Sequence, residues 1–406
     1  MKRHLFLYAI FLTASCLCAA CGSGDDEPAS VNPVIPETPS APSTEDLTPR
    51  IPEKTNKMKV YAHYMPWFVA PTKSGVWNHW TMSANAVNGS NYASWYYPLT
   101  EAYASDDSNI LDYQCLLMKY SGIDGVMVDW YGTQQKNDYP QNETHTKALL
   151  KAIEKANLKM AIVYEDATLD GLDESSKQAQ ARSDMQYLNS VYFKSECYVK
   201  VDGRPLLMCF GPQSLTTPKG WNFAFATLAT KPQFVVLNGF SNRTNDNSYT
   251  NSQGEFLWVN PAPDYSDAKN FPMYIAGAMP GFHDHYKESG QGNGYTTYDR
   301  EDGNLFQRQL DAARHAGLEW LQISTWNDYG EGTIIEPTKE FKYQYLEILQ
   351  KFAGVSYTST QLDIIYRWYK AAKAKGTENS NVKKAYDYLN SLNPDKAEEI
   401  IKQLEL

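Results

Sequence analysis

Cysteine is scarce in the body of this 406-residue chain: beyond Cys21 only Cys115, Cys197 and Cys209 remain. An odd count with no pair at metal-ligand spacing excludes a disulfide framework and a structural zinc site, and no cofactor is expected. Positive charge is also in short supply. The formal net charge is −10 and no Lys/Arg-dense run occurs in the body, which argues against nucleic acid as a partner. No glycine-rich phosphate loop follows the first candidate strand, which weighs against a doubly wound nucleotide-binding sheet. The apolar run at 5–17 is too short to span a bilayer. What is plentiful is apolar and aromatic material. Hydrophobic residues make up 42%, enough for one large core or two modest ones. The 29 Tyr and 10 Trp lean toward carbohydrate, because rings with polar tips suit sugar surfaces, although they also fill cores.

The N-terminus reads as an address. Lys2, Arg3 and His4 precede the apolar run, and Leu17-Cys18-Ala19-Ala20 leads into Cys21-Gly22. Small residues before a cysteine resemble a bacterial lipoprotein signal, cut ahead of Cys21 with lipid added to its thiol. The acidic run Asp25-Asp26-Glu27 that follows resembles the tag of surface-exposed outer-membrane lipoproteins. A signal peptide is therefore expected at 1–20, with Cys21 anchoring the chain to the outer membrane at the cell surface. Residues 21–55, rich in Pro, Ser, Thr, Glu and Asp, have no apolar period and predict a disordered tether that cannot offset its ordering entropy by burial.

From 56 onward short apolar runs alternate with amphipathic ones. Candidate strands fall at 59–65, 124–130, 159–164, 205–210, 233–238, 255–259, 273–278 and 318–324, with helical patterns between most of them. This order predicts a (β/α)8 TIM barrel over 56–355. Its weakest joint is the connection from 238 to 255, which lacks a helical pattern. Two further patterns, 361–374 and 381–404, predict a C-terminal helical extension over 356–406 packed on the barrel.

A barrel carries its chemistry just past the strand C-termini. Those positions hold Tyr64 and Trp67, then Asp129 and Trp130, then Glu165, then His283 and His285, and finally the run from Trp326 and Asn327 through Asp328 to Glu331. Gly330 and Gly332 bracket Glu331, so a bend open to glycine can aim Asp328 and Glu331 at one point. Two carboxyls in different surroundings suit acid and base work on a glycosidic bond. Taken alone, an acidic loop after a buried strand is equally well a solvated turn. Convergence of several strand ends on carboxylates and aromatics favours a site. Hydrogen bonding to sugar hydroxyls suits His283 and His285 better than metal binding, since spacing pins no third ligand. Arg300 fits an anchor for its loop.

The stretch Met279-Pro280-Gly281-Phe282, then Asp299-Arg300-Glu301-Asp302-Gly303, then Trp326-Asn327-Asp328-Tyr329-Gly330-Glu331-Gly332, resembles the endo-α-mannosidases and endomannanases of glycoside hydrolase family 99. Tyr64-Met65-Pro66-Trp67-Phe68 and Asp202-Gly203-Arg204-Pro205 are similar to two other motifs of that family. The Trp-Asn-Asp-Tyr-Gly-Glu form is closer to the related α-1,3-glucanases of family 71. The resemblance implies a glycosidase, endo-acting on an α-linked oligo- or polysaccharide such as mannan. It places the base toward the sugar 2-hydroxyl on Asp328 and the general acid/base on Glu331, with Glu165 and Trp130 in the substrate site. The family has Glu where this chain has Asp328, one methylene shorter, which leaves a water-activating, inverting route open. A glycan-binding lipoprotein feeding a glycan-import system is the alternative from another class.

Overall fold

Eight parallel strands close on themselves in the computed structural model, which describes residues 46–71, 76–82 and 92–405. The expected signal peptide, Cys21 and the tether as far as 45 lie outside the described residues. In chain order the strands are β1 (Lys59–Tyr64), β2 (Gly125–Trp130), β3 (Lys159–Tyr164), β4 (Arg204–Cys209), β5 (Gln233–Leu237), β6 (Ser252–Phe256), β7 (Met273–Ala278) and β8 (Trp320–Ile323). Each pairs in parallel with its sequence neighbour, and β8 returns to β1 with Val60 opposite Leu321. The expected barrel is therefore present.

Burial on both faces explains the nearly continuous apolar strands, and side-chain parity sorts each residue. Tyr61, Met127, Ala161, Val163, Met208, Val235, Ile275 and Trp320 fill the barrel interior. Their neighbours Val60, Tyr64, Val126, Trp130, Ile162 and Leu321 face outward into a second core beneath the helices.

That outer layer consists of α1 (Ser108–Tyr120), α2 (Tyr139–Ala156), α3 (Glu174–Val191), α4 (Pro218–Phe225), α5 (Asn304–His315) and α6 (Gln344–Ala353). The weak joint after β5 is filled by a 3-10 turn, Ser241–Arg243, rather than a helix, and a second such turn, Ala268–Asn270, serves between β6 and β7. Glu255 of β6 organises the first of these. Its carboxylate accepts from Gly239 N at 2.8 Å, Asn238 Nδ2 at 3.0 Å and Ser241 Oγ at 2.6 Å, so the polar groups of the turn are satisfied without a helix.

The C-terminal extension is three helices, α7 (Ser359–Lys375), α8 (Ser380–Asn390) and α9 (Pro394–Leu404). The single pattern read at 381–404 is broken because Leu392 takes a left-handed φ of 64° and Pro394 opens a new helix. Helix α7 lies on α1, which is buried from Ile110 to Tyr120. Lys119 of α1, fully buried, donates to the side chain of Asn390 at the end of α8 and, at 2.9 Å, to its carbonyl. Burial lowers this ammonium's pKa to about 7.

The N-terminal boundary differs from the sequence reading. Residues 46–55, expected within the tether, run along the barrel. Pro52 is buried, Arg50 N donates to Asn390 O at 3.0 Å, and Lys54 Nζ reaches Asp124 Oδ2 at 2.5 Å and Met58 O at 3.0 Å. Sequence composition missed this because main-chain bonds and one lysine, rather than an apolar period, hold the segment. A chain beginning at residue 56 should therefore melt at least about 5 °C below one beginning at residue 46 in a thermal scan, having lost the Lys54 bonds. Equal melting temperatures would show that the strap adds no stability.

Candidate active site

The C-terminal mouth of the barrel opens into a cleft of about 470 Å³ whose walls include Trp67, Asp129, Glu165, Tyr286, Asp328 and Glu331. The acidic pair comes from the loop after β8, and that loop is fixed from below. Asn327 is fully buried; its Oδ1 accepts from Met65 N at 2.8 Å, and its Nδ2 donates to Met65 O at 3.0 Å and Tyr103 Oη at 3.2 Å. Tyr103 and Tyr329 each donate to Glu336, at 2.8 and 2.9 Å, and Gln114 Nε2 adds a third bond at 2.6 Å. From the side, Arg300 donates to Gly332 O at 2.6 Å and Ile334 O at 3.2 Å, with its guanidinium 4.4 Å from the Tyr96 ring centre. Gly332 itself is required: its φ is +65°, and a Cβ there would lie 2.6 Å from His283 O.

Within this frame Asp328 N donates to Thr325 Oγ1 at 2.8 Å, and Glu331 N donates to Asp328 Oδ1 at 3.0 Å. Glu331 Oε1 accepts from Tyr286 Oη at 3.2 Å. Burial pushes the Asp328 carboxyl up, but the main-chain N–H groups of Glu331 and Gly330 and nearby His79 hold the rise to about 6. Burial together with the Asp328 charge raises Glu331 further, to about 8. Asp129 and Glu165, on adjacent strands, are both raised, first by burial and then by neighbouring carboxylates. At neutral pH Asp328 is thus the most readily ionised of the four, and Glu331 keeps a proton to give.

Strand parity decides which expected residues meet here. Asp129 and Glu165 point into the barrel mouth and line the cleft with Trp67, Asp328 and Glu331. Tyr64 and Trp130, on strands β1 and β2, face outward. Tyr64 Oη donates to Gln114 Oε1 at 2.7 Å, and Trp130 Nε1 to Glu143 Oε2 at 2.6 Å in the helix layer. Trp326 is wholly buried, its main-chain N–H donating to His63 O at 2.7 Å, and Asn327 is the strut already described, so neither lines the cleft. His283 and His285 stand beside it. Their main-chain N–H groups hold Glu331 O and Gly330 O, both at 2.9 Å, while the His283 ring stacks on Trp95 and His285 Nδ1 meets Ser289 Oγ. No group of three or more His, Cys, Asp or Glu with metal-binding geometry occurs among the described residues.

Several lining residues escaped the sequence reading. Tyr286 follows the His-Asp-His run directly, and Asp138 sits ahead of α2, where it bonds His79 at 2.6 Å while His79 stacks 4.9 Å from Trp67. His63 sits on β1 facing inward, kept neutral by burial with its pKa near 4, and lies edge-on to Trp258 at 4.6 Å. The inward parity of His63 is a signal the sequence did carry; for Asp138 there was none beyond a polar loop.

No protein-family profile matches the chain. A mouse glycoprotein endo-α-1,2-mannosidase-like protein is 23% identical over 383 residues, covering 82% of this chain and 80% of its own. The mouse glycoprotein endo-α-1,2-mannosidase is 20% identical over 349 residues, covering 75% and 71%. Among solved structures, the family 99 endo-α-mannosidase of Bacteroides thetaiotaomicron superposes with a TM-score of 0.60 at 18% identity, covering 79% of this chain and 99% of that one, a likeness of fold. Over about three quarters of its length the chain is thus similar to endo-α-mannosidases, and it shares its barrel fold with a family 99 structure.

Proposed function

We propose that the protein is an endo-acting hydrolase of α-linked mannan or a similar α-glycan, with Asp328 as base and Glu331 as general acid/base. The observation that carries this reading is the split between the two carboxyls within one open cleft, Asp328 near 6 and Glu331 near 8. Asp328 takes the proton of the sugar 2-hydroxyl as that oxygen attacks the anomeric carbon. Glu331 gives its proton to the departing glycosidic oxygen. Water then opens the anhydro sugar, losing its proton to Glu331 while Asp328 returns its own to the 2-oxygen. Trp67 offers a stacking face and Asp129 and Glu165 offer partners for sugar hydroxyls, with the protonated forms as donors. The N-terminal segment adds a location: lipid on Cys21 would hold the enzyme on the outer membrane, its products passing to a glycan-import system. Replacing Cys21 with Ala should move the enzyme from the membrane pellet to the soluble fraction, and retention in the pellet would reject the anchor.

Glu331→Gln and Asp328→Asn should each lower kcat on α-mannan by about 10³ or more while leaving glycan binding measurable. Unchanged turnover in either variant would remove that residue from the chemistry. Proton NMR of the first-formed product should show the retained anomer. An inverted one would assign Asp328 to water activation, the family 71-like route that its shorter side chain allows.

The pH profile has a defined sign. Below about 6 Asp328 gains a proton and no base remains; above about 8 Glu331 loses its proton and no acid remains. A bell-shaped kcat/KM with its maximum between those values is expected. A rate still rising beyond pH 9 would contradict Glu331 as the proton donor.

A further inference from the structure

Two aromatic rings beside the cleft are exposed where packing gives them no reason to be. Trp95 is 40% exposed although His283 stacks on one of its faces at 4.7 Å, and Tyr295 is 72% exposed. Both are fixed by Asp284, which is buried. Its carbonyl accepts from Trp95 Nε1 at 3.0 Å, and its carboxylate accepts from Tyr295 N at 2.7 Å and from Tyr286 N at 2.9 Å. The Tyr295 ring centre is 5.9 Å from that of Tyr286, whose hydroxyl is on Glu331. Asp284 thus holds the Trp95 ring through its carbonyl and the Tyr295 main chain through its carboxylate, next to the residue that bonds the acid. Isolated exposed rings are ordinary on a protein surface, but two on residues tied to one buried aspartate and continuous with a cleft wall are not.

We infer that Trp95 and Tyr295 form a stacking platform for the leaving-group side of the glycan, so that the substrate is a chain extending beyond the cleaved bond. The inference rests on the proposed role of Glu331. A general acid stands on the side of the departing oxygen, and the sugars attached to that oxygen must run from Glu331 past Tyr286. Pyranose C–H faces lie well on tyrosine and tryptophan rings, whose polar tips stay in water. The Trp95 ring, held by its N–H and by the His283 stack, loses little freedom on binding, which suits a platform for a flexible polymer.

The test compares α-mannan with α-mannobiosyl fluoride, whose leaving group carries no sugar. In Tyr295→Ala, and more so with Trp95→Ala added, the ratio of kcat/KM on mannan to that on the fluoride should fall about tenfold. Tyr295→Phe keeps the ring and should restore the ratio to within about twofold of the unmodified enzyme. Trp67→Ala, inside the cleft, should lower both rates together. Hydrolysis of the fluoride also reports that each variant is folded. An unchanged ratio, or equal loss on both substrates in Tyr295→Ala, would overturn the platform while leaving the hydrolase reading intact. An unmodified enzyme inactive on both substrates would overturn the mannan-cleaving reading and the platform with it.

Discussion

A carboxyl group sealed beneath the barrel mouth governs the geometry above it. Glu336 is 1% exposed, and burial pushes its pKa up to about 7 even though three donors surround it. Removing a carboxyl from water is costly unless its lone pairs are met, and Tyr103, Tyr329 and Gln114 meet them. The same tyrosine that serves Glu336 also receives Asn327, and Asn327 grips both main-chain polar groups of Met65. The end of β1 and the turn after β8 are therefore tied through one buried polar network. A fully satisfied network of this kind specifies a single arrangement. Asp328 and Glu331 ride on it.

Above that network, acidic side chains from β2, β3 and the loop after β8 share one partly dry space. They raise one another, and each proton retained relieves its neighbours. What separates them is local: Asp328 has main-chain N–H groups directed at it and His79 nearby, whereas Glu331 has the Tyr286 hydroxyl and the like charges of Asp328 and Asp284. Small differences in hydrogen bonding thus yield a base and an acid from two carboxyls of one turn.

The barrel was legible because strand-length apolar runs alternated with helical ones, and the turn after β8 announced itself with two nearby carboxyls, the second between glycines. Five of the expected site residues, Trp67, Asp129, Glu165, Asp328 and Glu331, share the cleft. Tyr64 and Trp130 were read by their place at strand ends without regard to parity; the pleat that turns Asp129 inward turns Trp130 outward. His283 and His285 were read for their rings, yet in the fold their main-chain N–H groups hold the acidic turn. The strap at 46–55, the helix-free β5–β6 link and the Glu336 network depend on long-range polar bonds, which leave no periodic trace in a sequence.

The last three helices carry a consequence of their own. Asn390 receives a main-chain N–H from the N-terminal strap and the ammonium of Lys119 from α1, and it donates to Lys155 O of α2. Helix α1 can be buried from Ile110 to Tyr120 only because α7 roofs it. Any recombination that exchanged these helices for another module would uncover that roofed face and strand a lysine already enclosed, so barrel and extension are constrained to descend together as one inherited unit.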